Sequence, residues 1–171
     1  MAGTLPLSLV VITRDAAKEL AECLASGAFA SDIVVVDAGS RDDTVELARR
    51  SGARVISRDW TGFGPQKNFA VASAAHDWVL CLDADERVTP ELAASIAALF
   101  ATGTPPAVAY ACARRNRFLG RWLAHGEGYP DWNLRLFDRR RARWTDDPVH
   151  EHVVASGPEA RIRGDLLHAS A

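Results

Sequence analysis

At 171 residues the chain has the size of one domain and can bury a substantial core. Hydrophobic residues make up 48% and charged ones 25%, which excludes a disordered or fibrous chain, and a net charge of −2 gives no footing for wholesale nucleic-acid binding. Cys23, Cys81 and Cys112 are odd in number, far apart and without a CxxC pair, so neither a disulfide framework nor a zinc site is expected.

In chain order, LSLVVIT is a continuous apolar run suited to a strand covered on both faces. Its approach, MAGTLP, lacks a basic segment and a cleavage site, so the start reads as a first strand and not a signal peptide. A helix is predicted from Ala16 to Ala25, with Leu20 and Leu24 one turn apart, and DIVVVDAG is a second buried strand. SRDDTVELARRSG predicts a helix capped by Ser40, with acids in its first turn, Arg49 and Arg50 in its last, and Gly52 as its stop. ARVIS is a shorter strand, PQKNFAVASAA a small-residue helix opened by Pro65, and DWVLCLDAD the fourth strand. TPELAASIAALF is a helix with Thr89 as its cap and Pro90 at its first position.

This alternation predicts an α/β domain, a mostly parallel sheet with helices on both faces. After TGTPPA the texture changes. AVAYACARR, NLRLFDR, ARW, HEHVVA and ARIRGDLLH are short, broken by Gly, Pro and Asp, and read as a short antiparallel extension of the same sheet. One domain over 1–171 is expected, with residues 1–104 as one half and 105–171 as the other. No apolar run approaches the ~18 residues of a membrane-spanning helix, and the cytoplasm is the expected location. The arginines crowded between Arg114 and Arg143 are expected to be either a solvated face or a basic face toward an anionic ligand or membrane surface.

Ligands of open α/β sheets gather outside the carboxyl ends of the strands. Three strands here end in polar groups: Thr13-Arg14-Asp15, Asp37-Ala38-Gly39-Ser40 and Asp83-Ala84-Asp85. In an extended segment Asp83 and Asp85 would point the same way and present two hard oxygen ligands suited to Mg2+ or Mn2+ with phosphate. The plain alternative is that Asp85 and Glu86 begin the next helix. Gly62 to Asn68 is a turn feeding a helix, where backbone amides and Lys67 can hold phosphate. It is neither GxxxxGK[ST] nor GxGxxG, so Lys67 is equally readable as a surface lysine. His150-Glu151-His152 is no HExxH; in a strand its histidines would share a side opposite Glu151. His168 closes the apolar ARIRGDLLH strand, where a structural histidine is the commoner reading, and His76 and His125 carry no pattern.

VVIT, VVVDAGSRDDT, GFGPQKNFA and VLCLDADERV, in that order, resemble glycosyltransferase family 2, inverting nucleotide-sugar enzymes of the GT-A fold. The later HGEGYPDWNLRLF and VHEHV resemble the branch that adds sugars to the lipopolysaccharide inner core. The resemblance implies a UDP-sugar donor, a saccharide or glycolipid acceptor and a divalent metal, Mg2+ or Mn2+, with peripheral contact at the inner face of the membrane. Thr13 and Asp37, with Gly39, would contact the uridine, Asp37 by accepting the uracil imide N–H. Lys67 would face the nucleotide region, and Asp83 and Asp85 the ribose and the metal-bound diphosphate. A C-terminal histidine commonly completes the metal site, which makes His168 the candidate. The family's Thr-x-Asn-Glu reads Thr13-Arg14-Asp15-Ala16 here, so its acidic contact is lost or moved to Asp15. Relatives usually continue beyond the position of His168 into further helices.

Inverting transfer needs a base on the side of the sugar away from the diphosphate. Asp131, after a glycine-containing loop and ahead of a segment reaching Arg135, is the first candidate and Glu151 the second. A phosphatase with an aspartyl nucleophile expects its DxD on the first strand, and a sugar-nucleotide pyrophosphorylase needs a glycine-rich basic first loop where TRDAAKE stands. A nucleotide-sugar-binding domain without turnover is the remaining alternative.

Overall fold

A computed structural model describes residues 4–118, 121–122 and 128–169. Four parallel strands form one side of the main sheet: β1 (Leu5–Thr13), β2 (Ala30–Asp37), β3 (Arg54–Ser57) and β4 (Trp78–Asp83), in spatial order β3-β2-β1-β4. The sheet continues from β4 through β8 (Asp131–Asp138), β6 (Ala109–Phe118), β11 (Glu159–His168) and the short β5 (Glu86–Val88), while β7 (Arg121–Trp122) pairs with β6. β9 (Ala142–Trp144) and β10 (Val153–Ala155) make a separate antiparallel pair. β8 is antiparallel to both β4 and β6, yet β11 is parallel to β6. Six strands of the sheet therefore point one way. The expected fold class stands, but the C-terminal half is not simply antiparallel.

Both faces are covered, which is why the strand sequences are apolar without a break. Leu7, Leu9 and Val11 of β1 pack with Leu20 and Leu24 of α1 (Ala17–Ser26), Ala48 of α2 (Thr44–Arg50) and Leu92 and Ile96 of α4 (Pro90–Phe100). Val10, on the other face, joins Val34, Val36, Ala70 and Val71 of α3 (Phe63–Ala72), Phe137 and Trp144. Leu7 and Leu9 are 0% exposed, and each such side chain contributes about 1.5–3 kcal/mol of burial.

The caps are mixed in outcome. Thr89 caps α4 as expected, its Oγ1 accepting the Leu92 N–H at 3.3 Å, with Pro90 at the first position. Ser40 does not cap α2. That helix begins after Asp43, because the Ser40 hydroxyl is captured by Asp37. α3 begins at Phe63, ahead of Pro65, so the expected turn is already helix. A Cβ on Gly64 would lie 2.1 Å from the Thr145 carbonyl oxygen, so only glycine lets α3 meet the 145 segment. Gly164 (φ +105) similarly lets β11 pass the first turn of α4, where a Cβ would sit 2.3 Å from the Leu92 nitrogen.

Candidate active site

The parallel strands deliver Thr13, Asp37 and Asp83 to one edge of the sheet, and β11 ends there with His168. β8 runs the other way, so it begins at that edge with Asp131. Residues from 13 to 168 thus converge at the carboxyl ends of the strands, where α/β sheets take ligands.

Asp37 is 2% exposed and its carboxylate is fully used. Oδ1 accepts the Thr13 hydroxyl at 2.8 Å and the Ser40 hydroxyl at 2.5 Å; Oδ2 accepts the Gly39 and Ser40 N–H groups at 3.0 and 2.8 Å. A carboxylate has about four acceptor positions, and all are taken. Burial opposes the charge, but these bonds prevail and hold the carboxyl below its ordinary value of 3.8. Asp15 (φ +51) is locked to the same turn, its N–H donating to Ser40 Oγ and its Oδ1 accepting the Arg41 N–H.

Asp83 and Asp85 do not share a side of an extended segment. β4 ends at Asp83 and the chain turns at Ala84 and Asp85. Asp83 lies 3.6 Å from both Lys67 Nζ and Arg135 Nη2, whereas Asp85 Oδ2 is 3.1 Å from His168 Nε2. Burial would raise the Asp83 carboxyl, yet Arg135 and Lys67 outweigh it and keep it low. The His168 Nδ1 faces Asn116 Oδ1 at 2.8 Å, and its bond to Asp85 raises the imidazole above 6.5. Among the described residues no three His, Cys, Asp or Glu groups cluster as a metal site. Of the three expected ligands, Asp85 and His168 meet, and Asp83 turns to cations.

The turn rests on Glu86, which opens β5 and not a helix, so the plain alternative for Asp85 and Glu86 does not hold either. Glu86 is 0% exposed; Oε1 accepts the Asp83 N–H at 2.7 Å and Arg135 Nη1 at 2.6 Å, and Oε2 accepts Arg135 Nη2 at 3.1 Å. Burial pushes its carboxyl upward and Arg135 only partly offsets this. The apolar residue spacing around Glu86 carries no signal of this pair; only the long-range fold does.

Lys67 is 9% exposed in α3, its ammonium 3.0 Å from Glu151 Oε1 and 4.1 Å from the Trp144 ring centre. Lys67, Asp83, Arg114, Arg135 and Glu151 line a cavity of about 500 Å³. His150, Glu151 and His152 precede β10 and are not in a strand, so the expected alternation fails; His152 Nδ1 instead meets the His150 carbonyl. Asp131 Oδ2 accepts Arg114 Nε and Nη2 at 3.2 and 3.1 Å. Gly126 and Glu127, from the turn expected before Asp131, lie outside the described residues, as does His125.

The arginine stretch divides. Arg114 and Arg115 lie toward the site edge, bound to Asp131 and Asp165. Arg139, Arg140 and Arg141 follow the far end of β8, at the opposite edge, and bind Asp77, Asp138 and the Ser156 carbonyl. One continuous basic face does not form among them. Sequence reasoning also passed over Trp60 and Phe63, exposed by 43% and 49%, which with Ile12, Thr13, Ala16 and Ala84 line a mostly apolar cavity of about 340 Å³ beside Asp37's turn.

The chain is similar to known glycosyltransferases. The family model "Glycosyl transferase family 2" matches residues 8–156. An uncharacterized glycosyltransferase of Rickettsia felis is 38% identical over 56% of this chain and 34% of its own length. The lipopolysaccharide core biosynthesis glycosyltransferase LpsC of Rhizobium meliloti is 32% identical over 98% of this chain and 64% of its own length. The chain thus spans from about a third to under two thirds of these relatives. The crystal structure of S. aureus TarS 1-349 in complex with UDP-GlcNAc superposes with a TM-score of 0.56 and 25% identity, over 71% of this chain and 37% of that one. With the matched region running from β1 past β10 and the polar strand ends gathered at one edge, the chain belongs to glycosyl transferase family 2.

Proposed function

We propose that the chain is the donor-binding and reacting part of an inverting glycosyltransferase. It would move a hexose from a UDP-sugar to a saccharide or glycolipid acceptor, with lipopolysaccharide core as the acceptor class. The observation that carries this reading is the convergence of Asp83, Asp85, His168, Lys67, Asp131 and Glu151 at the carboxyl edge of one sheet. Similarity to LpsC along nearly the whole chain supports the acceptor class, and similarity to TarS, solved with UDP-GlcNAc, supports the donor.

In this reading the uracil seats in the apolar cavity of Trp60 and Phe63; Thr13 lines it and donates to Asp37, whose turn also holds Gly39 and Asp15. Because Asp37 is saturated, it would contact the imide only by releasing one present donor. Lys67 and Asp83 face the sugar-diphosphate from the larger cavity. Asp85 and His168 suit a divalent cation: one offers a carboxylate oxygen, and the other is an imidazole oriented by Asn116 through its second nitrogen. Mg2+ or Mn2+ held there would neutralise charge growing on the leaving diphosphate.

Asp131 takes the acceptor proton, with Arg114 fixing its Oδ2; Glu151 is the second candidate, and Lys67 occupies its Oε1. No helix of the described residues is long and apolar enough to cross a membrane, and a cytoplasmic protein touching the inner face of the membrane is the proposed setting.

Transfer of labelled hexose tests the assignment. Asp131→Asn should keep UDP-sugar affinity while turnover falls by about 10²-fold or more. Collapse in Glu151→Gln with near-normal Asp131→Asn would move the role to Glu151. The second reading is nucleotide-sugar binding without turnover. Donor binding by the parent with no transfer would establish it.

A further inference from the structure

Glu86 does not line the site cavity, yet it bonds to Asp83 and Arg135 and lies beside Arg114, three residues that do. Its Oε1 holds the Asp83 backbone N–H, so it fixes the turn that presents Asp85. Both its oxygens grip Arg135, whose Nη2 also reaches Asp83 Oδ2 at 3.6 Å and whose Nη1 donates to the Cys81 carbonyl in β4. Its Oε2 lies 3.7 Å from Arg114 Nη1, and the same guanidinium holds Asp131. The charges therefore run Asp131, Arg114, Glu86, Arg135, Asp83, from the acceptor side to the donor side. Four strands are tied in one chain: β5 through Glu86, β6 through Arg114, β8 through Arg135 and Asp131, and β4 through Asp83.

We propose that Glu86 is a positioning residue that holds the donor turn Asp83–Asp85 and the acceptor-side Asp131 in one fixed relation, acting through Arg135 and Arg114. A buried ion pair of this kind is not needed for stability, because apolar groups of similar volume often replace such pairs without loss. What apolar groups cannot supply is direction. Bidentate guanidinium–carboxylate geometry sets angle as well as distance, and a displacement of about 1 Å at a reacting centre can cost about 10²-fold in rate. The inference rests on the proposed transferase reading for the role of Asp131, while its donor half concerns UDP binding alone.

The experiment separates the two arms on the full chain. UDP with Mn2+ is the binding probe, followed by calorimetry, and UDP release from UDP-glucose reads turnover. Glu86→Gln/Arg135→Met removes both buried charges, so it should fold with parental cooperativity while UDP affinity falls about tenfold or more, the range seen when groups supporting a metal site are lost. A folded double variant with parental UDP affinity overturns the donor arm. Arg114→Gln should lower turnover about 10–100-fold, Arg114→Lys recovering part of it. In an Asp131→Asn background Arg114→Gln should cost nothing further, since the residue acts only through Asp131. Additive losses there, or unchanged turnover in Arg114→Gln alone, overturn the acceptor arm. A parent that binds UDP without turnover would remove the transferase reading, and the UDP arm would still decide the role of Glu86.

Discussion

Replacing Arg135 by Met removes the cation from a pocket that keeps a fully buried carboxylate. Arg135 is 4% exposed and Glu86 0%, so the carboxylate left behind has little access to water. The bonds at 2.6 and 3.1 Å to Glu86 disappear, as does the one at 3.3 Å to the Cys81 carbonyl. Arg114, at 3.7 Å, is the cation left beside Glu86 among the described ion pairs, and no direct hydrogen bond joins the two. Breaking a buried pair from one side costs about 3–5 kcal/mol, against about 1 kcal/mol for an exposed pair. For a chain of this length each kcal/mol moves Tm by about 2–4 °C, so a fall of roughly 6–20 °C is expected.

The pH dependence supplies the sign. Burial already pushes the Glu86 carboxyl above its ordinary value of 4.5, and loss of Arg135 pushes it further. A group raised in the folded state supports stability below its unfolded value and withdraws that support as pH rises through the folded one. The deficit of Arg135→Met relative to the parent should therefore be small below about pH 4.5 and grow above it. Paired thermal melts by circular dichroism from pH 4 to 8 measure it, and Glu86→Gln/Arg135→Met should regain most of the lost Tm. A Tm within about 2 °C of the parent at pH 7, or a double variant worse than the single one, would refute the reasoning.

Further expectations concern the ligand edge and the glycine contact. Asp85→Asn should weaken Mn2+-supported UDP binding and lower transfer by several kcal/mol of transition-state stabilisation, ~3 or more, while UDP binding without metal changes little; equal metal dependence in parent and variant would remove Asp85 from the metal site. Asp37→Ala should erase a preference for UDP over CDP if the carboxylate meets the imide, and a retained preference in calorimetry would confine Asp37 to its turn. Asp37 is also held below 3.8, so the stability it contributes is present above that value and lost as pH falls through the lower folded one; the Asp37→Ala deficit should accordingly shrink in acid melts below about pH 3.8. Gly64→Ala forces a Cβ to 2.1 Å from the Thr145 carbonyl oxygen and should cost about 1–3 kcal/mol in urea unfolding, an unchanged midpoint counting against the close packing of α3 on the 145 segment.

What could be read directly from residue order was local. Apolar runs such as LSLVVIT and WVLCL predict buried strands because burial on both faces demands apolar side chains at every position, whatever the neighbours are. Thr89 and Pro90 predict the start of α4 because capping is settled within one turn of helix. Ser40 misleads for the same reason: its hydroxyl had a stronger claimant in Asp37, held in place by Thr13, 24 residues away from it. The carboxyl-edge cluster was legible insofar as parallel strands must end together. The fold decided what no local pattern carries: that β11 runs parallel to β6, that the 84–85 turn parts Asp83 from Asp85, and that Lys67 meets Glu151 across 84 residues. Glu86 is the clearest case, since only the pairing of β8 beside β4 brings in Arg135, 49 residues on, and gives both carboxyl oxygens a partner at zero exposure. Local composition sets which segments must leave water; the order of strands in the sheet sets which charges leave it together.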